Sequence, residues 1–154
     1  MAALVAREVG SLASLARWAS RGKAVLRVNA AGILAKVRSP TAESEAVGVL
    51  RTDPEVRELY LTAVAYRVLG LGWDRAADLI RQPTELDPAH VERIAAEVTN
   101  PNDAGARWCS VVLLSRCRPE LVSNILVTAL AAEQSRENLR AIGAVLAGVD
   151  PLSI

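Results

Sequence analysis

Asp53-Pro54-Glu55-Val56-Arg57-Glu58-Leu59-Tyr60-Leu61-Thr62-Ala63-Val64 is the stretch from which the fold is read. Asp53 stands where a side-chain oxygen caps a helix, and Pro54 suits the first helical position, where no N–H is needed. Glu55 adds a carboxylate beside the positive end of the helix dipole. Val56, Leu59, Tyr60, Ala63, Val64 and Val68 then recur at intervals of three and four, until Gly70 and Gly72 stop the pattern. A helix of this length is marginal alone, so its apolar stripe requires a neighbour.

The same punctuation divides the rest of the chain. Leu86-Asp87-Pro88-Ala89 repeats the start signal, Asn100 to Asp103 offers caps before Ala104, and Ser135 opens the last helix; Pro83, Gly148 and Pro151 are stops. The spacing predicts helices near 3–19, 23–37, 42–51, 54–69, 74–81, 88–98, 103–116, 119–133 and 136–147. No segment alternates with period two, so strands are not expected. Composition agrees: 51% of the 154 residues are hydrophobic but only 3% are aromatic, with no Phe, so the core is built from small aliphatic side chains that suit close helix packing. The reading is a single all-α domain over 1–154, with a basic capping helix at 1–20 and about four helical hairpins over 21–148.

Four segments share a skeleton: LRVNAAGILAK from Leu26, VRELYLTAVAY from Val56, ARWCSVVLLSR from Ala106 and LRAIGAVLAGV from Leu139. Counted from Arg27, Arg57, Arg107 and Arg140, an apolar residue lies four later (Ala31, Leu61, Val111, Ala144) and seven later (Leu34, Val64, Leu114, Ala147). Three later stand the small Ala30, Ser110 and Gly143, with Tyr60 as the exception. These positions share one face, and Arg points off it. The Arg residues are 30, 50 and 33 apart, and the long middle interval leaves room for an additional short hairpin from 74–81 and 88–98.

In Asp53-Pro54-Glu55-Val56-Arg57 and in Asn102-Asp103-Ala104-Gly105-Ala106-Arg107 the chain resembles HEAT repeats, the helical-hairpin units of α-solenoids. The resemblance implies a short stack of antiparallel hairpins in which an Asp opens the second helix of each unit. It also implies that Asp53, Arg57, Asp103, Arg107 and Arg140 form a ladder between units. Unit lengths are irregular, and the first and last units lack the Asp. A compact multi-helix bundle is the alternative arrangement.

Charge is lopsided. Residues 1–40 carry seven basic groups against one acid, while the remainder carries eleven basic and sixteen acidic groups. Arg17, Trp18, Arg21, Lys23 and Arg27 form the candidate partner-binding set, since Arg interleaved with an aromatic ring suits an acidic partner or stacked bases. The competing reading is a solvated basic face on a terminal helix. The Arg- and Ser-bearing beginning also fits a mitochondrial targeting segment, but it merges with the helical pattern that follows. No apolar run approaches a membrane span. Cys109 and Cys117 are about 12 Å apart along one helix and cannot pair, which fits a reducing, cytoplasmic setting.

Chemistry-bearing residues are scarce. His90 falls in the first turn of its helix without a second His at metal-ligand spacing. The two Cys residues follow the apolar pattern and read as packed thiols, although Arg116 and Arg118 flank Cys117. Trp108 and Trp73 admit either packing or contact with a partner, with Trp73 expected to plug the turn between hairpins. Acid pairs such as Glu85 with Asp87 or Asp74 with Asp78 read as caps and solvated faces. No catalytic, metal or cofactor site is expected. The function expected is a non-enzymatic protein-interaction or scaffold module; the alternative is nucleic-acid binding through the basic residues of 7–38, which some HEAT-like proteins perform.

Overall fold

The computed structural model describes residues 23–82 and 85–154. The described residues are all-helical, with no strand: α1 (Ala24–Lys36), α2 (Pro40–Thr52), α3 (Pro54–Leu69), α4 (Trp73–Arg81), α5 (Pro88–Val98), α6 (Ala104–Leu114), α7 (Pro119–Ala132) and α8 (Arg136–Leu146). The helix expected near 3–19, and with it the capping role of 1–20, lies outside the described residues.

Local chemistry sets the boundaries. Asp53, Asp87 and Asp103 each cap their helix, accepting hydrogen bonds from the N–H of Val56, Ala89 and Ala106 respectively. Pro40 takes the first position of α2, so this helix starts two residues earlier than expected. Gly70 ends α3 with φ +65°, a conformation that L side chains avoid, and Arg93 Nη1 donates to the Leu69 carbonyl beside it. Ser135 stands at the N-cap of α8, as expected. Its hydroxyl makes no cap bond, and Glu133 Oε1 instead accepts the N–H groups of Gln134 and Ser135.

One cluster of buried apolar side chains extends from Ala30 to Ile142. At its centre is α6, all eleven of whose residues are buried. It packs against α1, α2, α3, α5 and α8, and α2 also reaches α8. In the shared skeleton the residue four after Arg is buried in every unit, as Ala31, Leu61, Val111 and Ala144. The pattern fails in the last unit, where Gly143 and Ala147 are exposed. The additional hairpin expected from 74–81 and 88–98 is also corrected: the principal contacts of α4 are with α3, and those of α5 are with α6, α3 and α7.

Small residues bring α3 and α6 together. A Cβ built on Gly105 would lie 2.6 Å from Tyr60 Oη, so only glycine admits the tyrosine at this crossing. Tyr60 Oη donates to Asp103 Oδ1 at 2.8 Å, joining α3 to the cap of α6.

Candidate functional site

The aspartate and arginine of the repeated stretch act first inside their own unit. Asp53 and Asp103 cap α3 and α6, while Arg57 and Arg107, four residues on, reach back seven residues. Arg57 Nη1 donates to the carbonyls of Leu50 and Arg51 at the end of α2. Arg107 Nη1 donates to the carbonyl of Asn100 just past α5. Each Asp therefore satisfies the start of its helix, while Arg57 satisfies orphaned carbonyls at the end of α2 and Arg107 ties α6 to the turn after α5.

Between helices the acids receive a second set of bonds. Arg27 Nε donates to Asp53 Oδ2 at 2.9 Å and Arg27 Nη2 to Glu55 at 3.0 Å. Tyr60 serves Asp103, as described above. Arg107 Nε donates to Glu133 Oε2 at 3.0 Å, and Nη2 divides itself between Glu133 and Glu43 of α2. Expected to point off the packed face, Arg107 is instead buried, and its charge is balanced by two largely buried carboxylates. Arg140 takes no such part: it is exposed, with no hydrogen bond or ion pair among the described residues. Farther out, Arg67 joins α3 to Glu97 of α5; burial disfavours the Glu97 carboxylate, but hydrogen bonds from Arg67 and Asn100 outweigh it and hold the group below the usual carboxylate range.

Of the candidate partner-binding set, Arg17, Trp18 and Arg21 lie outside the described residues. Lys23 is exposed just before α1, whereas Arg27 is committed to Asp53 and Glu55. Trp108 is a core side chain. Trp73, expected to plug a turn, is 46% exposed and leans on Tyr66 with ring centroids 5.8 Å apart. Both Cys residues are free and buried, and burial pushes both thiols up, away from the reactive thiolate.

Two concavities stand out among the described residues. A polar cleft of about 900 Å³ lies between the start of α2 and the start of α8, where Glu43, Glu45, Glu133 and Glu137 meet Arg38, Arg107 and Arg136. Ser44 donates to Glu137 across it, so α2 and α8 are tied at its floor. An apolar groove of about 680 Å³ runs between α7 and the C-terminal turn, lined by Val122, Leu126, Val145, Leu146, Val149 and Leu152 among others. Among the described residues of its lining, Arg116 and Asp150 are the charged ones.

Beside this groove α7 is unusual. Val122, Leu126 and Ala129 face inward, yet Leu121, Val127 and Leu130 are 41, 55 and 39% exposed. Its single charged residue among fourteen is Glu120. An exposed helix ordinarily carries charge on its outer face; this one presents Ser123, Asn124, Val127, Thr128, Leu130 and Ala131. The signal of this face in the sequence is the near lack of charge in PELVSNILVTALAA.

No family model, curated protein or solved structure matches the chain. No helix among the described residues is long and apolar enough to cross a membrane.

Proposed function

We propose that the chain is a non-enzymatic protein-interaction module of HEAT-like hairpins, working through the outer face of α7 and the groove beside it. The observation that carries the reading is the exposure of Leu121, Val127 and Leu130 on a helix with one charged residue. Exposed apolar side chains on an outer face with so little charge characterise sites where another protein docks. The paired Asp53/Arg57 and Asp103/Arg107 clamps support the repeat reading, with the array coiled tightly enough for α1 and α2 to touch α6. Two free, buried thiols suit a reducing compartment such as the cytoplasm.

Cross-linking in the native cell tests the reading, with the intact chain and a Val127→Glu/Leu130→Glu variant as baits. A specific protein cross-linked to α7 in the intact chain and lost in the variant is expected. An unchanged set of cross-links, or none involving α7, would overturn it.

The basic bias of residues 1–40 favours a second reading, binding to nucleic acid. Arg27, held by Asp53 and Glu55, is withdrawn from the residues offered for it. Binding to a duplex or single strand that weakens steeply with salt is the outcome this reading requires; no binding at low salt excludes it.

A further inference from the structure

The polar cleft between the starts of α2 and α8 is short of hydrogen-bond donors. Among the described residues, the buried side-chain polar atoms without a hydrogen-bond partner are His90 Nδ1, which does not belong to the cleft, and three oxygens at or next to it. Glu45 Oε2 and Ser135 Oγ belong to lining residues. Asn138 Oδ1 belongs to the amide that donates to Glu133 and to the Ala104 carbonyl. Ser135 is only 7% exposed, so bulk water does not serve its hydroxyl. A buried acceptor left without a donor is costly, and a guest that brings donors removes that cost.

The charged groups of the lining decide the sign of that guest. Arg107 is committed to Glu43 and Glu133, which share it and leave one negative charge over. Glu137 receives the Ser44 hydroxyl, and neither Glu45 nor Glu137 forms an ion pair among the described residues. The two remaining cations of the lining, Arg38 and Arg136, are exposed, with Arg38 donating to Asn102. Carboxylates therefore dominate the inner wall, while guanidinium groups stand at the rim, where water and salt screen them. The helix dipoles offset one another, since α2 and α8 begin at the cleft and α5 and α7 end there. Val98, Pro101, Ala129 and Ala132 add aliphatic surface to the lining.

We propose that the cleft is a binding site for an alkylammonium group, a single protonated amine on an aliphatic stem such as a lysine side chain or a free aliphatic amine. An ammonium supplies what the wall lacks, three donors and one positive charge on a compact head. Glu45 and Ser135 turn to accept from it, Glu137 adds a second carboxylate, and the stem lies along Val98, Pro101, Ala129 and Ala132. A second ammonium farther along the stem would meet Arg38 and Arg136 at the rim, so monoamines bind better than polyamines. This binding needs no contact with the outer face of α7, and its failure leaves the docking reading untouched.

The test titrates the isotopically labelled full chain at constant ionic strength and follows its backbone amides by NMR. The probe is n-butylammonium chloride; n-butanol, with the same stem and no charge, and sodium butyrate, with the opposite charge, are the comparisons. Saturable shifts centred on Glu45, Ser135 and Glu137 are expected with butylammonium and not with the other two. Glu45→Gln weakens butylammonium binding by about tenfold or more, as for loss of a charge-assisted hydrogen bond, and Ser135→Ala by about fivefold, as for loss of a neutral one. Melting curves check that the fold is kept, and if one variant melts lower the other carries the test. Glu120→Gln, which removes an exposed carboxylate outside the cleft, leaves binding unchanged. Nα-acetyl-lysine methylamide binding more tightly than butylammonium assigns the site to a lysine of another protein, and the reverse order assigns it to a free amine.

Absence of a saturable shift with butylammonium overturns the proposal. Equal binding of butanol overturns it by marking an apolar crevice only, and preference for butyrate does so by assigning the cleft to anions through Arg38, Arg136 and the helix starts. Binding indifferent to both Glu45→Gln and Ser135→Ala, or weakened as much by Glu120→Gln, overturns it as well, because the attraction is then not built at this site. Tighter binding of spermidine than of butylammonium overturns the assignment to a single ammonium.

Discussion

Arg107 shows how much one side chain can organise when it is buried with all three guanidinium nitrogens engaged. From α6 it reaches Asn100 after α5, Glu43 on α2 and Glu133 after α7, so four parts of the chain share one cation. Such a cluster contributes little over a well-packed apolar substitute, but breaking it by removing one member leaves the others buried and uncompensated. Arg107→Ala is therefore expected to lower stability by about 3–5 kcal/mol, read from urea or thermal melts. Arg107→Lys recovers only part of this, since an ammonium cannot donate in the fork geometry that serves Glu133, Glu43 and Asn100 together. The arginine was visible in the sequence as a repeated position, but its burial was not. That depends on Glu43 and Glu133, which lie 64 and 26 residues away and carry no mark relating them to it.

At the scale of elements, the helix limits were legible because they are written in local chemistry. In Asp53-Pro54 and Asp87-Pro88 the Asp caps the helix and the Pro takes its first position, which is why α3 and α5 begin at Pro54 and Pro88 as expected. The neighbours of each helix were not legible, since amphipathic spacing identifies an inward face without naming what it meets. Thus α4 and α5, adjacent in sequence, choose different principal partners. Trp73 failed for the same reason: its place at a helix start was readable, while its exposure against Tyr66 was decided by α3. The crossing of α3 and α6 is a case where the residue types do prescribe the pairing, because Tyr60 needs the bare backbone of Gly105. Gly105→Ala is expected to cost about 1–3 kcal/mol, the range for overpacking a filled site. Gly143→Ala, where a Cβ would meet nothing within 4 Å, provides the control and should not destabilise the chain. An equal gain in the two variants would show that helix propensity, not the Tyr60 contact, governs position 105.

For the whole molecule, burial gives stability a definite dependence on alkaline pH. The Tyr60 hydroxyl is pushed up first by burial and then by the charge of Asp103, and the Cys109 thiol is pushed up by the same two causes in the same order. Both groups stay neutral in the folded chain after the unfolded chain has begun to ionise. Their contribution is whole below the unfolded values, about 8.5 for Cys and 10 for Tyr, and is lost as pH rises above them. The expected slope is about 1.4 kcal/mol per pH unit for each ionising group. In Tyr66→Phe, where Tyr60 is the remaining tyrosine, phenolate absorbance should appear together with unfolding and not before it. A phenolate signal preceding the loss of helix would show that Tyr60 is reachable by water in the native chain.

The enclosure of α6 also resists the insertion of a further hairpin. In an open stack, a duplicated hairpin can be spliced in because each layer touches only the next. Here α2 touches both α6 and α8, and α1 touches α6. An inserted layer would have to part those surfaces, so this chain can diversify at its rim and in its outer helix more readily than it can lengthen.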